Sequence, residues 1–277
     1  MALETFNIEA LQQKAKELRR EVLKMLANAG SGHPGGALGM TDVWTVLHYK
    51  YLRSRPQEPR WPDRDRFVLS NGHTCPILYA ILADRGYFPK EELKNLRKLG
   101  SMLQGHPSTA WKVPGVEHSS GSLGHGLSVS LGIALAGRLD QKSYNVYCGI
   151  SDGESQEGQT WEAAMAAAHY KLGRLCAILD RNGTQIDGRT EKIMSLGALA
   201  DKWRSFGWNV LEIDPYDYSQ IIGAFEQFLK NSMGDRPTVM ICRTVIGKGV
   251  SFMEGDFHWH HGAPNPQQLE QALKELS

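Results

Sequence analysis

Tyr144-Asn-Val-Tyr-Cys-Gly-Ile-Ser-Asp-Gly-Glu-Ser-Gln-Glu-Gly-Gln-Thr-Trp-Glu-Ala163, continued by Leu175-Cys-Ala-Ile-Leu-Asp-Arg-Asn-Gly-Thr-Gln-Ile-Asp-Gly188, decides the fold. Two runs rich in β-branched and aliphatic residues, 144–150 and 175–179, each end on a polar turn, and the Ala-rich segment between them reads as a helix. The unit is strand, helix, strand. Outward from it, strands are expected near 66–70, 208–213 and 238–243, with the central pair at 144–150 and 174–180. Helices are expected near 7–28, 41–52, 75–85, 156–171, 195–206, 217–230 and 267–276, and the small residues of 119–126 open another. This alternation predicts an α/β fold, a doubly wound parallel sheet with helices on both faces. The chain has 277 residues and 41% hydrophobic content, enough for a large core, and no linker or repeat interrupts it. One domain over 1–277 is expected.

In an open parallel sheet, ligands collect beyond the carboxyl ends of the strands. Here two such ends offer the Asp152 carboxylate and the Asn182 amide oxygen. With the Thr184 carbonyl, these are oxygen donors for a hard cation such as Mg²⁺, which commonly keeps coordination places for phosphate oxygens. The spacing therefore suits a metal clamped to a diphosphate.

Four histidines stand in turns or at strand ends, where functional groups are commonly presented. His33 is central in Gly30-Ser-Gly-His-Pro-Gly-Gly36, whose four glycines and proline exclude a helix interior and favour close approach of backbone to a ligand. His73 closes Ser70-Asn-Gly-His73, His106 lies in Gln104-Gly-His-Pro107, and His261 in His260-His-Gly-Ala-Pro264. A single histidine in a turn is more often solvated or capping than catalytic. His118, His125, His169, His258 and His260 are read as surface or local polar groups.

Composition removes several function classes. Lys+Arg 31 against Asp+Glu 30 gives a formal charge of +1, which is no nucleic-acid footprint. No apolar stretch approaches a membrane span, and Met1-Ala-Leu-Glu-Thr-Phe6 is no secretory leader, so a cytoplasmic protein is expected. Cys75, Cys148, Cys176 and Cys242 have no metal or disulfide spacing and read as small core residues.

The stretches 151–163 and 180–188 resemble the thiamine diphosphate signature of the transketolase family. They depart from it at Ser151, where a first Gly is common, and at Gly183, where a second Asn often stands. The four histidine contexts, Ser119-Ser-Gly-Ser-Leu-Gly-His-Gly126 and Thr244-Val-Ile-Gly-Lys-Gly249 resemble family motifs in the same order, so the similarity spans roughly residues 8 to 264. His125 stands where the family usually has Gln, which leaves a cofactor-side role for it open.

The resemblance implies transfer of a two-carbon ketol unit from a ketose phosphate to an aldose phosphate, with a place in the pentose phosphate pathway. It implies thiamine diphosphate held through Mg²⁺, or through Ca²⁺ or Mn²⁺ in its stead, by Asp152, Asn182 and the Thr184 carbonyl. By the same resemblance Gly153, His73, Ile186 and Ile246 lie near the diphosphate and thiazolium, and Gly121 and Leu123 face the aminopyrimidine. His33, His106 and His261 are placed around substrate hydroxyls. Glu157 and Glu162 match the acidic positions of the signature, Glu157 reaching toward the partner's glutamate; Glu162 reads equally as a plain helix-surface charge.

Family members hold the cofactor between this domain and a pyrimidine-binding domain that the chain lacks. A split transketolase is therefore expected, in which this chain is the amino-terminal subunit. Its partner is then a C-terminal subunit carrying the pyrimidine-binding domain, two of each forming an α2β2 assembly. The Met1 start and the amphipathic ending 268–276 are expected of a natural chain end. The rivals are the α subunit of a 2-oxo acid dehydrogenase, the front half of a deoxyxylulose-phosphate synthase, and a non-catalytic cofactor-binding subunit. Gly-His-Pro-Gly-Gly and Gln-Gly-His-Pro favour transketolase over the first two, and the intact acid–amide pair speaks against the third.

Overall fold

The computed structural model describes residues 7–277. The Asn7 side chain caps α1 (Ile8–Ala29), accepting from the Ala10 N–H at 2.8 Å, and Gly30 ends it in the left-handed region at φ 67°, its N–H bonded to the Leu26 carbonyl. Then come α2 (Pro34–Gly39) and α3 (Thr41–Val46), which runs on as a π-turn over Leu47–Tyr51. Strand β1 (Arg66–Leu69) leads through a turn to α4 (Cys75–Asp84), and a long loop leads to α5 (His125–Leu139). The deciding unit follows as β2 (Val146–Ser151), α6 (Gly158–His169) and β3 (Leu175–Asp180). Beyond it lie a two-stranded hairpin of β4 (Thr184–Gln185) and β5 (Gly188–Arg189), then α7 (Thr190–Ile193), α8 (Leu199–Ser205) and β6 (Asn209–Ile213). The chain closes with α9 (Tyr218–Asn231), β7 (Thr238–Cys242) and α10 (Pro266–Glu275).

Five strands form one sheet in the order β1-β2-β3-β7-β6, every neighbouring pair parallel. From β1 to β3 and on to the far edge at β6, the chain winds one way, with α5, α6 and α8 covering one face. From β6 it turns back to β7, and α9 joins α1 and α4 on the other face. Right-handed crossovers demand that change of face when the direction of winding reverses. The strands obey it residue by residue: in β3, Leu175, Ala177 and Leu179 join the core under α6 and α8, while Cys176 and Ile178 join the core under α1, α4 and α9. The doubly wound parallel sheet read from the sequence is the observed architecture. All four cysteines are free and buried in it.

The side facing α1 also carries a buried ion pair. Arg19 of α1 meets Asp42 of α3, and the Tyr218 hydroxyl of α9 donates to the same carboxylate at 2.7 Å, so three elements are tied at one point. No helix among the described residues is long and apolar enough to cross a membrane.

Two local expectations are corrected, and one element has no counterpart among them. The glycine run 30–36 excludes helix on propensity grounds, yet α2 begins inside it, at Pro34. Proline favours the first helical position, and packing outweighs the low helix propensity of glycine. A Cβ on Gly35 would lie 2.2 Å from Ile246 Cγ1, so α2 sits against the β7 exit loop only because that Cβ is missing. The helix expected at 195–206 is found as the shorter α8, and α7 is a separate turn of helix before it. The β4–β5 hairpin, with two residues in each strand, is too short for alternation to reveal.

Candidate active site

The carboxyl ends of β2 and β3 carry a compact set of oxygen atoms. Asp152, directly after β2, is wholly buried. Its Oδ1 accepts the Gly153 N–H at 3.0 Å, and its Oδ2 accepts the Gly183 N–H at 2.6 Å and Arg181 Nη1 at 3.1 Å. Gly183, at φ 70°, adopts a conformation open mainly to glycine, which brings that N–H onto the carboxylate. Burial pushes the Asp152 carboxyl up to about 6, against the opposing pull of Arg181 and the two N–H groups.

Asn182 donates from Nδ2 to Asp180 Oδ2 at 3.0 Å and accepts the Thr184 N–H on Oδ1 at 2.9 Å. With its amide nitrogen on Asp180, Asn182 turns its oxygen to the opposite side. Asp180 is itself held by the Thr244 hydroxyl, and burial, aided by the charge of Asp152, pushes its carboxyl up to about 7. Glu154 ties the shelf to neighbouring elements. It accepts from the Ser70 hydroxyl after β1, from the Gly124 N–H before α5 at 2.8 Å and from the Ser151 N–H at 3.2 Å, and burial pushes it up to about 7.

A second group consists of imidazoles drawn from four loops. The His33 ring centroid lies 5.0 Å from His73, 4.9 Å from His261, 5.7 Å from His260 and 6.3 Å from His106. His260 is also 5.3 Å from His73. Main-chain bonds set the loops: the Gly262 N–H donates to the Gly32 carbonyl at 2.7 Å, Gly247 N–H to Gly35 at 3.1 Å, and Ser120 N–H to Pro107 at 3.1 Å. A Cβ on Gly36 would come 2.9 Å from Thr74 Cγ2 and 3.3 Å from Asp180 Oδ2, so α2 wedges between the His73 turn and the end of β3, linking the rings to the shelf. Burial, with His260, His261, His106 and Arg97 nearby, pushes His33 down to about 3. Burial likewise lowers His73, His106 and His260. These rings are neutral at pH 7, each able to donate from one nitrogen and accept at the other.

The structure thus brings Asp152, Gly153, Asn182 and Thr184 into one network, and His33, His73, His106 and His261 into another. Gly121 lies against His106, with room for only an ordinary contact between them. Ile246 is buried under Gly35, two residues past His33. Leu123 and Glu157 flank Gly124, where an added Cβ would press on Glu157 Cβ at 2.9 Å. Ile186 is exposed at the tip of the β4–β5 hairpin, and Glu162 is exposed on α6.

Two groups escape a reading of the sequence. His260 reads as a surface residue there, but the short 3₁₀ turn over Phe257–His260 directs it, as well as His261, to the ring cluster. Arg97 rests its guanidinium against the Gly105 main chain, and its charge bears on both His33 and His106. In the sequence it is one of several cations in Lys94-Asn-Leu-Arg-Lys98, with nothing but its nearness to His106 to single it out.

Polar atoms left without partners mark the region of the ring cluster. His33 Nδ1, both amide atoms of Asn71 and Ser120 Oγ are buried and unpaired, and all lie on the loops that converge there. Such atoms are uncommon in folded proteins and fit a polar ligand. Among the described residues no three His, Cys, Asp or Glu side chains are grouped to hold a metal ion. A cation at the shelf would therefore rest on one carboxylate, one amide oxygen and a main-chain carbonyl, with remaining places filled by a ligand's own oxygens. That donor set fits Mg²⁺ bound with a diphosphate.

The family model described as the transketolase thiamine diphosphate binding domain matches residues 11–276. The chain is 42% identical to an apulose-4-phosphate transketolase subunit of Phocaeicola vulgatus, over 98% of this chain and 95% of that one. It is 42% identical to the 6-deoxy-6-sulfo-D-fructose transketolase subunit SqwG of a Clostridium species, over 96% of each. The crystal structure of transketolase from Campylobacter jejuni superimposes with a TM-score of 0.92 at 34% identity, covering 98% of this chain but 43% of that one. The chain thus spans nearly the whole of two separate transketolase subunits and less than half of the Campylobacter enzyme.

Proposed function

The chain belongs to the transketolase family, and from that premise we propose that it is the diphosphate-binding subunit of a two-chain transketolase. It transfers a two-carbon ketol unit from a ketose phosphate to an aldose phosphate. The observation that carries this reading is the joining of an acid–amide shelf, Asn182 and the buried Asp152, with a cluster of imidazoles from four loops.

In this reading the whole chain serves as one cofactor-binding domain. Asp152, the Asn182 oxygen and the Thr184 carbonyl hold Mg²⁺, with Ca²⁺ or Mn²⁺ able to substitute. Gly153 and His73 approach the diphosphate, Ile186 and Ile246 the thiazolium, and Gly121 and Leu123 the aminopyrimidine. Thiamine diphosphate, when bound, supplies the nucleophilic carbon and the electron sink for breaking and making the C–C bond. The chain's own residues do the rest. His33, His106 and His261 hold substrate hydroxyls and move protons at their oxygens, for which imidazoles are suited. Arg97, at the rim beside His106, offers a cation to the substrate phosphate. Glu157 acts in catalysis by reaching toward the partner's glutamate, and Glu162 serves the cofactor side.

The partner is a chain carrying the pyrimidine-binding domain, and two copies of each give α2β2. The enzyme works in the cytoplasm. Calorimetric titration tests the cofactor assignment: thiamine diphosphate should bind saturably with Mg²⁺ and lose most of its affinity in EDTA. Binding of equal strength without metal would contradict the shelf's role.

A further inference from the structure

Arg181 stands between Asp180 and Asn182, and its side chain is four-fifths buried. Its Nη1 donates to Asp152 Oδ2 at 3.1 Å and to the Thr190 hydroxyl at 3.0 Å, and its Nη2 donates to Glu191 at 2.6 Å. The guanidinium therefore neutralises the one carboxylate of the metal shelf. It also ties that carboxylate to α7, at the end of the 184–193 segment.

A divalent ion has two ways to reach Asp152. It can take the place of the guanidinium on Oδ2, which breaks the ion pair. Or it can use what remains of Oδ1 and sit within a few ångström of a positive charge, which repels it. Both oppose the ion. We propose that Arg181 competes with the divalent metal for Asp152. The proposal rests on the metal assignment above and adds a determinant of affinity that lies outside the ligand set. It also assigns a function to the ion pair: Asp152 is held in place and charge-balanced by a group that a stronger cation displaces.

The test is Mn²⁺ titration of the full chain with thiamine diphosphate present, followed by electron paramagnetic resonance, for the parent, Arg181→Gln, Arg181→Lys and Asp152→Asn. Arg181→Gln should bind Mn²⁺ about tenfold more tightly than the parent, whereas Arg181→Lys, which keeps the charge, should stay within about threefold. Unchanged Mn²⁺ affinity in Arg181→Gln, alongside its loss in Asp152→Asn, would overturn the competition while leaving the metal site standing. Weaker binding in Arg181→Gln would overturn it too, by making the guanidinium a diphosphate ligand. Mn²⁺ affinity untouched by Asp152→Asn would remove the metal assignment and the competition together.

Discussion

The oxygen shelf and the imidazole rim are linked through α2 but are built on opposite principles. The shelf sits on regular strand ends, and its groups satisfy one another: Asp152 is bonded to Gly153, Gly183 and Arg181, and Asn182 to Asp180 and Thr184. The rim is assembled from irregular loops and leaves polar atoms such as His33 Nδ1 and the Asn71 amide unpaired. Sheet ends give fixed geometry at low entropic cost, which suits an ion that tolerates little error in position. Loops give variable chemistry on a fixed scaffold, which suits a family whose members take different sugars. The two similar subunits, one named for apulose-4-phosphate and one for a sulfofructose, differ in that respect.

The sharpest way to break the comparison is to remove the shelf's acid. Asp152→Ala should lower thiamine diphosphate affinity by about 100-fold or more in calorimetry with Mg²⁺, since the only assigned carboxylate ligand goes. Circular dichroism should show the fold retained, because burial of that carboxylate is itself unfavourable. Affinity equal to the parent's would make the shelf a structural feature only.

Changes on the rim should act on the other axis. His106→Ala and His261→Ala should each cut kcat/KM for the sugar by about 10- to 100-fold in the reconstituted enzyme, with cofactor affinity within about threefold of the parent. Steady-state kinetics beside calorimetry separates the two effects, and a parallel fall in both would erase the division between shelf and rim.

The smallest effect is on stability. Folding depresses the pKa of His33 to about 3 from an unfolded value near 6.5, so the unfolded chain binds more protons between those limits. The resulting stability is fully present above about pH 6.5 and is lost as pH falls toward 3. Allowing for the ring's partial exposure, the parent should lose about 1 kcal/mol more between pH 7.5 and pH 5 than His33→Asn does. Urea unfolding at the two pH values measures it, and parallel losses would show that the ring is not held neutral by the fold.

The same contrast governs what the sequence reveals. The five sheet strands are legible to within about two residues because each is a short aliphatic run ended by a polar turn, and Asp152 and Asn182 follow from where those runs stop. The rim is legible only by resemblance of its motifs. Nothing local tells that His260 shares the cluster while His258 pairs with Asp256 at the surface; a single 3₁₀ turn decides it. Helix α2 is hidden because the close packing of Gly35 and Gly36 against Ile246, Thr74 and Asp180 is a tertiary fact that propensity does not contain. Glu154 and Asp180 look like ordinary members of a motif, and their orienting bonds appear only when three strand ends are brought side by side.

Whether this chain is one half of a transketolase active site is tested most directly by reconstitution. Ketol transfer is followed while a chain carrying the pyrimidine-binding domain is titrated into the purified protein with thiamine diphosphate and Mg²⁺. The expected result is no appreciable transfer from the 277-residue chain alone, activity that rises to an endpoint near one to one, and a four-chain complex by native mass spectrometry. Robust transfer by the chain alone, with no second protein detected in the sample, would contradict it.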